Sequence, residues 1–111
     1  MHGKPKKHIL VCVQRRPQDH PRGCGCADRG GAAVYQAFLD EFAKLELWDK
    51  GFLLTDTGCM GPCDQGPTVV VWPEGVMYLG VKPEDARVIV DEHLMFDQPV
   101  ERLLAPKEIW G

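Results

Sequence analysis

The chain has 111 residues, of which 44% are hydrophobic and 26% are charged, a composition typical of a single folded domain with one core. Its formal net charge is -3 and its pI is about 5.7, and its few basic residues lack interleaved aromatic side chains, which argues against nucleic-acid binding. No apolar stretch approaches the roughly eighteen residues of a membrane span, and the apolar segment after the basic start is too short for a signal peptide, so we expect a cytoplasmic protein that does not bind a membrane.

Charge is distributed unevenly along the chain. Residues 1–31 carry a net charge of +5, which leaves -8 on the remainder, and residues 1–7 form a basic N-terminal extension. Solvated faces account for most of these charges. A net positive charge on one part of the chain and a net negative charge on the rest also favour docking of a partner in one orientation.

Five cysteines are present, and their odd number leaves one over in any disulfide scheme. In a reducing compartment such a set indicates metal or redox chemistry, and four thiolates are enough for one metal site. The cysteines are Cys12, Cys24, Cys26, Cys59 and Cys63.

The first half of the chain contains a strand, a loop and a helix. Residues 8–14 (HILVCVQ) form an uninterrupted β-branched and apolar run that predicts a buried strand with Cys12 near its end. Residues 15–31 are rich in glycine and proline and predict a long loop, a type of segment that is usually functional. From Ala32 to about Leu47, apolar residues recur at the spacing of an amphipathic helix.

The second half predicts three strands and a second helix. Residues 51–57 form a short strand, residues 57–67 (TGCMGPCDQGP) a second glycine- and proline-rich loop, and residues 68–72 and 76–80 a hairpin with a Pro-Glu-Gly turn. A helix begins at Pro83, with an apolar face of Ala86, Ile89, Val90 and Leu94. The C-terminal tail, residues 97–111, carries apolar residues that we expect to pack back onto the domain: Val100, Leu103, Leu104 and Trp110.

The order of elements predicts an α/β fold. A β-α-β unit requires two parallel strands and the hairpin adds an antiparallel pair, so the simplest closure is a four-stranded mixed sheet covered by two main helices. This is the core layout of thioredoxin-like folds. Because the first two strands are parallel, the loops that follow them leave the same edge of the sheet, and the cysteines can converge there.

Four thiolates could hold structural zinc, a [4Fe-4S] cluster or a [2Fe-2S] cluster. Zinc sites usually contain two C-x-x-C knuckles, and a bacterial [4Fe-4S] ferredoxin contains a tight C-x-x-C-x-x-C run; this chain has neither. Two ligands on each of two loops suit a [2Fe-2S] cluster, in which two irons bridged by two sulfides form a rhomb. Gly58, Gly61 and Gly66 would admit backbone N–H donors to its sulfurs, although a tight turn alone also explains these glycines.

Several long segments together resemble the thioredoxin-like [2Fe-2S] ferredoxins of bacteria, also called Shethna-type proteins. The segments are CVQRRPQDHPRG, CADRGG, TGCMGPCDQGPTVVVWPEGVMYLGVKPEDA and PVERLLAPKEIW, which together cover nearly the whole chain. The resemblance implies one thioredoxin-like domain over residues 1–111, a homodimer, and a [2Fe-2S] cluster bound by residues of loops 15–31 and 57–67. It makes Cys12, Cys59 and Cys63 ligands.

The fourth ligand lies where the chain departs from the family pattern. Residues 23–30 (GCGCADRG) place a cysteine on each side of the expected position. We assign Cys26, because CADRG reproduces the family's downstream context, and keep Cys24 as the alternate.

An all-thiolate [2Fe-2S] centre has no open coordination position, so the predicted function is one-electron transfer between redox donor and acceptor proteins rather than enzymatic catalysis. The resemblance implies service in nitrogen fixation or another low-potential pathway. Two alternatives use the same cysteines: a zinc-binding structural or interaction module, and a thiol-disulfide oxidoreductase with Cys59 as nucleophile. The oxidoreductase is disfavoured because the chain lacks C-x-x-C and a basic neighbour that would lower a thiol pKa.

Other conspicuous side chains have structural explanations. We interpret His20 as a solvent-exposed loop residue and His93 as a residue of a helix C-terminal turn, where it can interact with the helix dipole. Trp72, Tyr78 and Trp110 fit either a dimer surface or burial within the monomer.

Overall fold

The computed structural model describes residues 6–13, 30–58, 67–107 and 109. We number the strands and main helices in chain order, as follows: β1 (Lys7–Cys12), α1 (Gly31–Leu45), β2 (Phe52–Thr57), β3 (Val69–Trp72), β4 (Val76–Tyr78) and α2 (Pro83–Ile89). A 3-10 turn over Leu47–Lys50 follows α1, a π-helical turn over Val90–Leu94 continues α2, and a second 3-10 turn spans Glu101–Leu103.

The four strands form one mixed sheet in the order β2-β1-β3-β4. β1 runs parallel to β2, whereas β3 is antiparallel to both β1 and β4. The predicted four-stranded mixed sheet is therefore confirmed. β1 lies inside the sheet, with β2 on one side and β3 on the other.

One face of the sheet packs against both helices. Alternate residues of the interior strands, among them Ile9, Val11, Val69 and Val71, are fully buried on this face. The predicted apolar faces of the helices meet them, and each fully buried aliphatic or aromatic side chain stabilises the fold by about 1.5–3 kcal/mol. The helix residues fully buried in this core include Val34, Phe38, Phe42, Ala86, Ile89 and Val90.

Helix α1 ends two residues earlier than the apolar spacing predicts. Glu46 adopts a left-handed conformation with φ of 53°, and its N–H donates to the Phe42 carbonyl as a C-terminal cap. The chain then makes the 3-10 turn and reaches Gly51, whose φ is 92°. Leu47 remains fully buried, so the predicted apolar pattern holds although the helix has ended.

The C-terminal tail returns to the sheet as predicted. Val100 and Leu103 are buried, whereas Leu104 is 41% exposed and Trp110 lies outside the described residues. The Leu79 N–H donates to the Leu103 carbonyl over 3.0 Å, and the Ala105 N–H donates to the Met77 carbonyl over 2.9 Å. Residues 100–105, termed the C-terminal segment below, therefore cover the outer edge of β4, which would otherwise present unpaired backbone groups.

Among the helices formed by the described residues, none combines the length and the apolar character required to cross a membrane.

Candidate metal centre

Cys12 is the last residue of β1 and is fully buried. Its N–H donates to the carbonyl of Thr68 over 3.0 Å, and its position in the register is opposite Thr57 of β2. The prediction that a cysteine ends the first strand is confirmed. Hydrogen bonding on both sides of β1 holds the backbone of Cys12 in place.

The two ends of the second cysteine loop flank Cys12. Thr57 closes β2 on one side, and Thr68, which directly precedes β3, lies on the other side, because β1 is between β2 and β3 in the sheet. The Val13 N–H donates to the Thr57 carbonyl over 2.9 Å, which continues the parallel pairing beyond β1. The Val81 N–H donates to the Pro67 carbonyl over 3.1 Å, which anchors the far end of the loop. Both cysteine loops thus begin at the same sheet edge, as predicted.

The other four cysteines lie outside the described residues, namely Cys24, Cys26, Cys59 and Cys63. The same is true of Gly61, Gly66 and His20, whereas Gly58 is described. The assignment of the ligands, Cys12 included, therefore stays a prediction from sequence and spacing.

The described part of this site fits a cluster with thiolate ligands. A buried sulfur at the end of an interior strand is shielded from water, and thiolate ionisation in such a place needs a cation to compensate the lost hydration. Iron supplies that charge in clusters with cysteine ligands. Cys12 is thus of the right type, and in the right environment, to be a ligand.

Sequence reasoning missed a second polar cluster, built around His93. The prediction that His93 occupies a helix C-terminal turn and interacts with the dipole does not describe its surroundings, because the ring lies in the π-helical turn, is 1% exposed and is bonded at both nitrogens. Nδ1 lies 2.8 Å from the Tyr78 hydroxyl and Nε2 lies 2.6 Å from Glu74 Oε2. The sequence does contain an indication that His93 is buried, because His93 follows Ala86 and Ile89 at helical spacing and so falls on the apolar face of the helix.

Tyr78 belongs to the core, which resolves one of the two interpretations offered by the sequence. Its side chain is fully buried, and its hydroxyl accepts a hydrogen bond of 2.9 Å from the Val100 N–H. Burial raises the pKa of Tyr78 to about 12, although the bond from Val100 opposes that change. The hydroxyl therefore keeps its proton. Trp72, in contrast, is 42% exposed.

Lys7 and two carboxylates extend the cluster to the surface. Lys7 Nζ lies 2.7 Å from Glu74 Oε2 and 2.6 Å from Asp97 Oδ1. Partial burial raises the pKa of Glu74, but hydrogen bonds from Lys7 and His93 more than offset burial, so the net change is downward. Lys7 begins β1 and Cys12 ends it, and at about 3.3 Å per residue the cluster is roughly 16 Å from the cysteine site along the strand.

Comparison with known proteins identifies close relatives. No protein-family model matches the chain. The chain is 48% identical over 101 residues to a 2Fe-2S ferredoxin of Aquifex aeolicus (strain VF5), covering 91% of this chain and 90% of the relative. It is 36% identical over 99 residues to a 2Fe-2S ferredoxin of Clostridium pasteurianum, covering 89% and 95% respectively.

A solved structure agrees with these sequence relatives. The crystal structure of the wild-type thioredoxin-like [2Fe-2S] ferredoxin from Aquifex aeolicus superimposes with a TM-score of 0.84 at 46% identity, over 94% of this chain and 99% of that chain. This finding confirms the predicted thioredoxin-like fold and favours neither the zinc module nor the thiol-disulfide oxidoreductase. The chain belongs to the thioredoxin-like [2Fe-2S] ferredoxin family, and it is an electron-transfer protein with a [2Fe-2S] cluster as its cofactor.

Proposed function

We propose that Cys12, Cys26, Cys59 and Cys63 bind the [2Fe-2S] cluster of this ferredoxin, with Cys24 as the alternate to Cys26, and that loops 15–31 and 57–67 are the cluster-binding loops. The observation that carries the proposal is the position of Thr57 and Thr68 on either side of Cys12. The chain that connects these two threonines contains Cys59 and Cys63. The proposal therefore takes both cysteines to lie near the carboxyl end of β1.

When bound by four thiolates, the cluster would supply one-electron chemistry and would leave no open position for a substrate. The contribution of the chain is to position its ligands before the cluster arrives. Hydrogen bonds from the Cys12 and Val13 amides to the strands on both sides restrain the Cys12 backbone, so less conformational freedom is lost when iron binds.

Single cysteine substitutions test the ligand set. In anaerobic preparations of the full chain we expect about two irons and two acid-labile sulfides per chain, with a visible chromophore that bleaches on addition of dithionite. Cys12→Ser, Cys26→Ser, Cys59→Ser and Cys63→Ser should each lose the cluster or change its spectrum, and Cys24→Ser serves as the matched control with wild-type properties. A wild-type spectrum and wild-type stability for Cys26→Ser would assign the fourth ligand to Cys24. A colourless protein that contains zinc would refute the proposal.

We also propose that the protein is a homodimer, and that the sheet face opposite the helices contributes to its interface. His8, Leu10 and Trp72 lie on this face according to the register, and none of the three is fully buried although two are large and apolar. A face of this kind gains stability when a second apolar surface covers it.

Sedimentation equilibrium of the holoprotein tests the dimer. We expect a dimer for the wild type and a monomer for Trp72→Glu, because the new carboxylate would have to be buried without a partner. Phe96→Glu is the matched control, since Phe96 is 74% exposed and lies after the π-helical turn, outside the four strands. A monomeric wild type would refute the dimer. Dissociation by Phe96→Glu but not by Trp72→Glu would show that the interface includes Phe96 and does not use the proposed sheet face.

The redox partners and the compartment are further parts of the proposal. We propose that the protein acts in the cytoplasm, because cluster assembly requires reduced thiolates, and that it serves a low-potential pathway such as nitrogen fixation. Affinity capture on the reduced holoprotein, with the oxidised holoprotein as control, should retain proteins that carry their own redox centres. Capture of membrane or secreted proteins alone would contradict the cytoplasmic assignment.

A further inference from the structure

The hydrogen bonds around His93 have one direction that satisfies every group. The Val100 amide can only donate, so it occupies the Tyr78 oxygen as an acceptor. The single hydroxyl hydrogen of Tyr78 then points to His93 Nδ1, which must accept and therefore carries no proton. In neutral imidazole the proton is consequently on Nε2.

The far side of the ring agrees with this tautomer. Nε2–H donates to Glu74 Oε2 over 2.6 Å. Glu74 is ionised at neutral pH, because the hydrogen bonds to its carboxylate outweigh its partial burial and lower its pKa, and an ionised carboxylate can only accept. Among the described residues, no buried side-chain nitrogen or oxygen lacks a hydrogen-bond partner. The chain of donors thus runs from Val100 through Tyr78 and His93 to Glu74, and we term these four groups the His93 relay.

The His93 relay connects the C-terminal segment to the core. Its first member, Val100, begins that segment, and its second member, Tyr78, is the last residue of β4. Tyr78 also forms a backbone bridge with Leu104, and the amides of Leu79 and Ala105 complete the pairing. The segment is therefore attached to β4 through its backbone and through the Tyr78 hydroxyl.

A divalent cation is a poorer explanation of the same residues. Ligand atoms of Glu74, His93 and Asp97 lie within 4.8 Å of one another, a spacing that could suit a metal ion. The ammonium of Lys7 already bridges the two carboxylates, and Nε2 carries the proton that a metal would have to displace. The two carboxylates and the His93 ring therefore have their charge and hydrogen-bond partners without a metal ion.

We propose that the His93 relay holds His93 as the Nε2–H tautomer and makes the attachment of the C-terminal segment to β4 depend on the protonation state of His93. A second proton on the ring has to enter at Nδ1. Nδ1–H and the Val100 N–H then both point at the Tyr78 oxygen, and the buried hydroxyl hydrogen loses its acceptor. Protonation thus reverses the hydrogen bond between Nδ1 and Tyr78 and leaves a buried hydroxyl hydrogen unsatisfied on the side of the ring that faces the segment.

The charged groups around the ring come from three parts of the fold. Glu74 lies in the hairpin turn, Lys7 on β1 contacts Glu74, and Asp97 and Glu92 lie in the same stretch of chain as His93. Glu74 accepts from Nε2–H in both charge states of the ring. The acid-induced change is therefore at Nδ1 and Tyr78 rather than at Glu74.

Nuclear magnetic resonance of the holoprotein tests the tautomer and its consequence together. At neutral pH the His93 ring should show an unprotonated Nδ1 and a protonated Nε2 in its 15N shifts. As the pH falls through the protonation of His93, followed by the same shifts, amide exchange at Val100, Leu79 and Ala105 should accelerate by about tenfold relative to intrinsic rates, as expected when one buried hydroxyl hydrogen loses its acceptor.

Two variants and a control separate the relay from general acid sensitivity. Tyr78→Phe should lower protection of the Val100 amide at neutral pH and abolish the acid response. Should that variant not fold, His93→Asn serves the same purpose, because its Oδ1 can accept from Tyr78 but cannot be protonated, so protection should persist in acid. Tyr35→Phe, a half-buried tyrosine on α1, should behave like the wild type.

Three outcomes would overturn the proposal. They are an Nδ1–H tautomer at neutral pH, unchanged protection of Val100 while the ring is protonated, and an acid response that persists in both Tyr78→Phe and His93→Asn. Titration with Zn²⁺ gives a further check, since binding at micromolar concentration that disappears in His93→Asn would show that Nε2 is a metal ligand rather than a donor to Glu74.

Discussion

At the turn between β3 and β4, Gly75 satisfies two local requirements. Its φ is +70°, in the left-handed region where a side chain costs about 1–2 kcal/mol, and a Cβ atom there would lie 2.9 Å from Cζ3 of the Trp72 ring. Its N–H also closes the turn by donating to the Val71 carbonyl over 2.9 Å. Glycine is required by both the backbone conformation and the closeness of the aromatic ring.

Gly75→Ala should therefore destabilise the protein by about 2–3 kcal/mol, measured as a shift in the urea unfolding midpoint of the holoprotein. Gly51→Ala is the matched control, because Gly51 has a φ of +92° but its nearest neighbour is the flexible Lys6 side chain at 3.3 Å. We expect about 1–2 kcal/mol for that variant. Equal losses of stability in Gly75→Ala and Gly51→Ala would show that the Trp72 ring moves aside without an energetic cost.

At the scale of elements, Asp85 joins the start of α2 to the C-terminal segment. Its Oδ2 accepts from the Lys82 N–H over 2.9 Å, which satisfies an amide at the helix start, and its Oδ1 accepts from Arg102 over 2.9 Å. The Asp85 side chain is 7% exposed, whereas that of Arg102 is 58% exposed. The helix start and the 3-10 turn over Glu101–Leu103 are thus held by one carboxylate.

Asp85→Ala should lower the free energy of unfolding by about 1–2 kcal/mol, since it leaves the Lys82 amide without its acceptor and releases Arg102. Asp91→Ala provides the comparison, because Asp91 forms an exposed ion pair with Arg87 at 3.6 Å, and we expect a change below about 0.5 kcal/mol. Urea denaturation of both variants would measure the difference. A loss in Asp91→Ala as large as that in Asp85→Ala would contradict this account of Asp85.

The π-helical turn after α2 is an element that periodicity did not predict. The apolar spacing of Ala86, Ile89, Val90 and Leu94 correctly marks the buried face. The same spacing is compatible with an α-helix and with a helix that contains a wider, π-helical turn. The choice between them depends on contacts with β4 and the hairpin turn, where the His93 ring finds its partners.

At the scale of the whole molecule, Lys7 joins three distant parts of the chain. It begins β1, and its ammonium contacts Glu74 in the hairpin turn and Asp97 after the π-helical turn. Partial burial lowers the pKa of Lys7, but the hydrogen bonds to Asp97 and Glu74 outweigh burial and the net change is upward. For Asp97 the hydrogen bond from Lys7 lowers the pKa.

The signs of these changes define the pH range in which this contact stabilises the fold. The Glu74 carboxyl has a lowered pKa in the folded state, so its contribution is present above its ordinary value of 4.5 and is lost as the pH falls through the lowered value. The Lys7 contribution is complete below its ordinary value of 10.5 and is lost as the pH rises through the raised value.

Lys7→Met should raise the titration midpoint of Glu74, followed through its side-chain carboxyl 13C signal in the holoprotein, because one of the two side-chain donors to that carboxylate is removed. The other side-chain donor, His93, keeps its hydrogen bond. Lys50→Met, on the 3-10 turn after α1, is the control and should leave the Glu74 midpoint unchanged. An unchanged midpoint in Lys7→Met would show that Lys7 does not lower the pKa of Glu74.

Much of this protein follows from local sequence. The period of the apolar residues predicts both helices and their buried faces, the Pro-Glu-Gly turn predicts the hairpin, and the cysteine spacing with its surrounding segments identifies the family. The helix and hairpin signals each lie within a few residues along the chain, where backbone geometry alone relates sequence to structure.

Two features were decided by tertiary structure. The order β2-β1-β3-β4, which places Thr57 and Thr68 on either side of Cys12, depends on pairing between strands far apart in sequence. The partners of His93 come from a strand and a turn, 15 and 19 residues away respectively. Hydrogen bonds and packing between distant segments form only when the fold closes, and for that reason no local pattern specifies them.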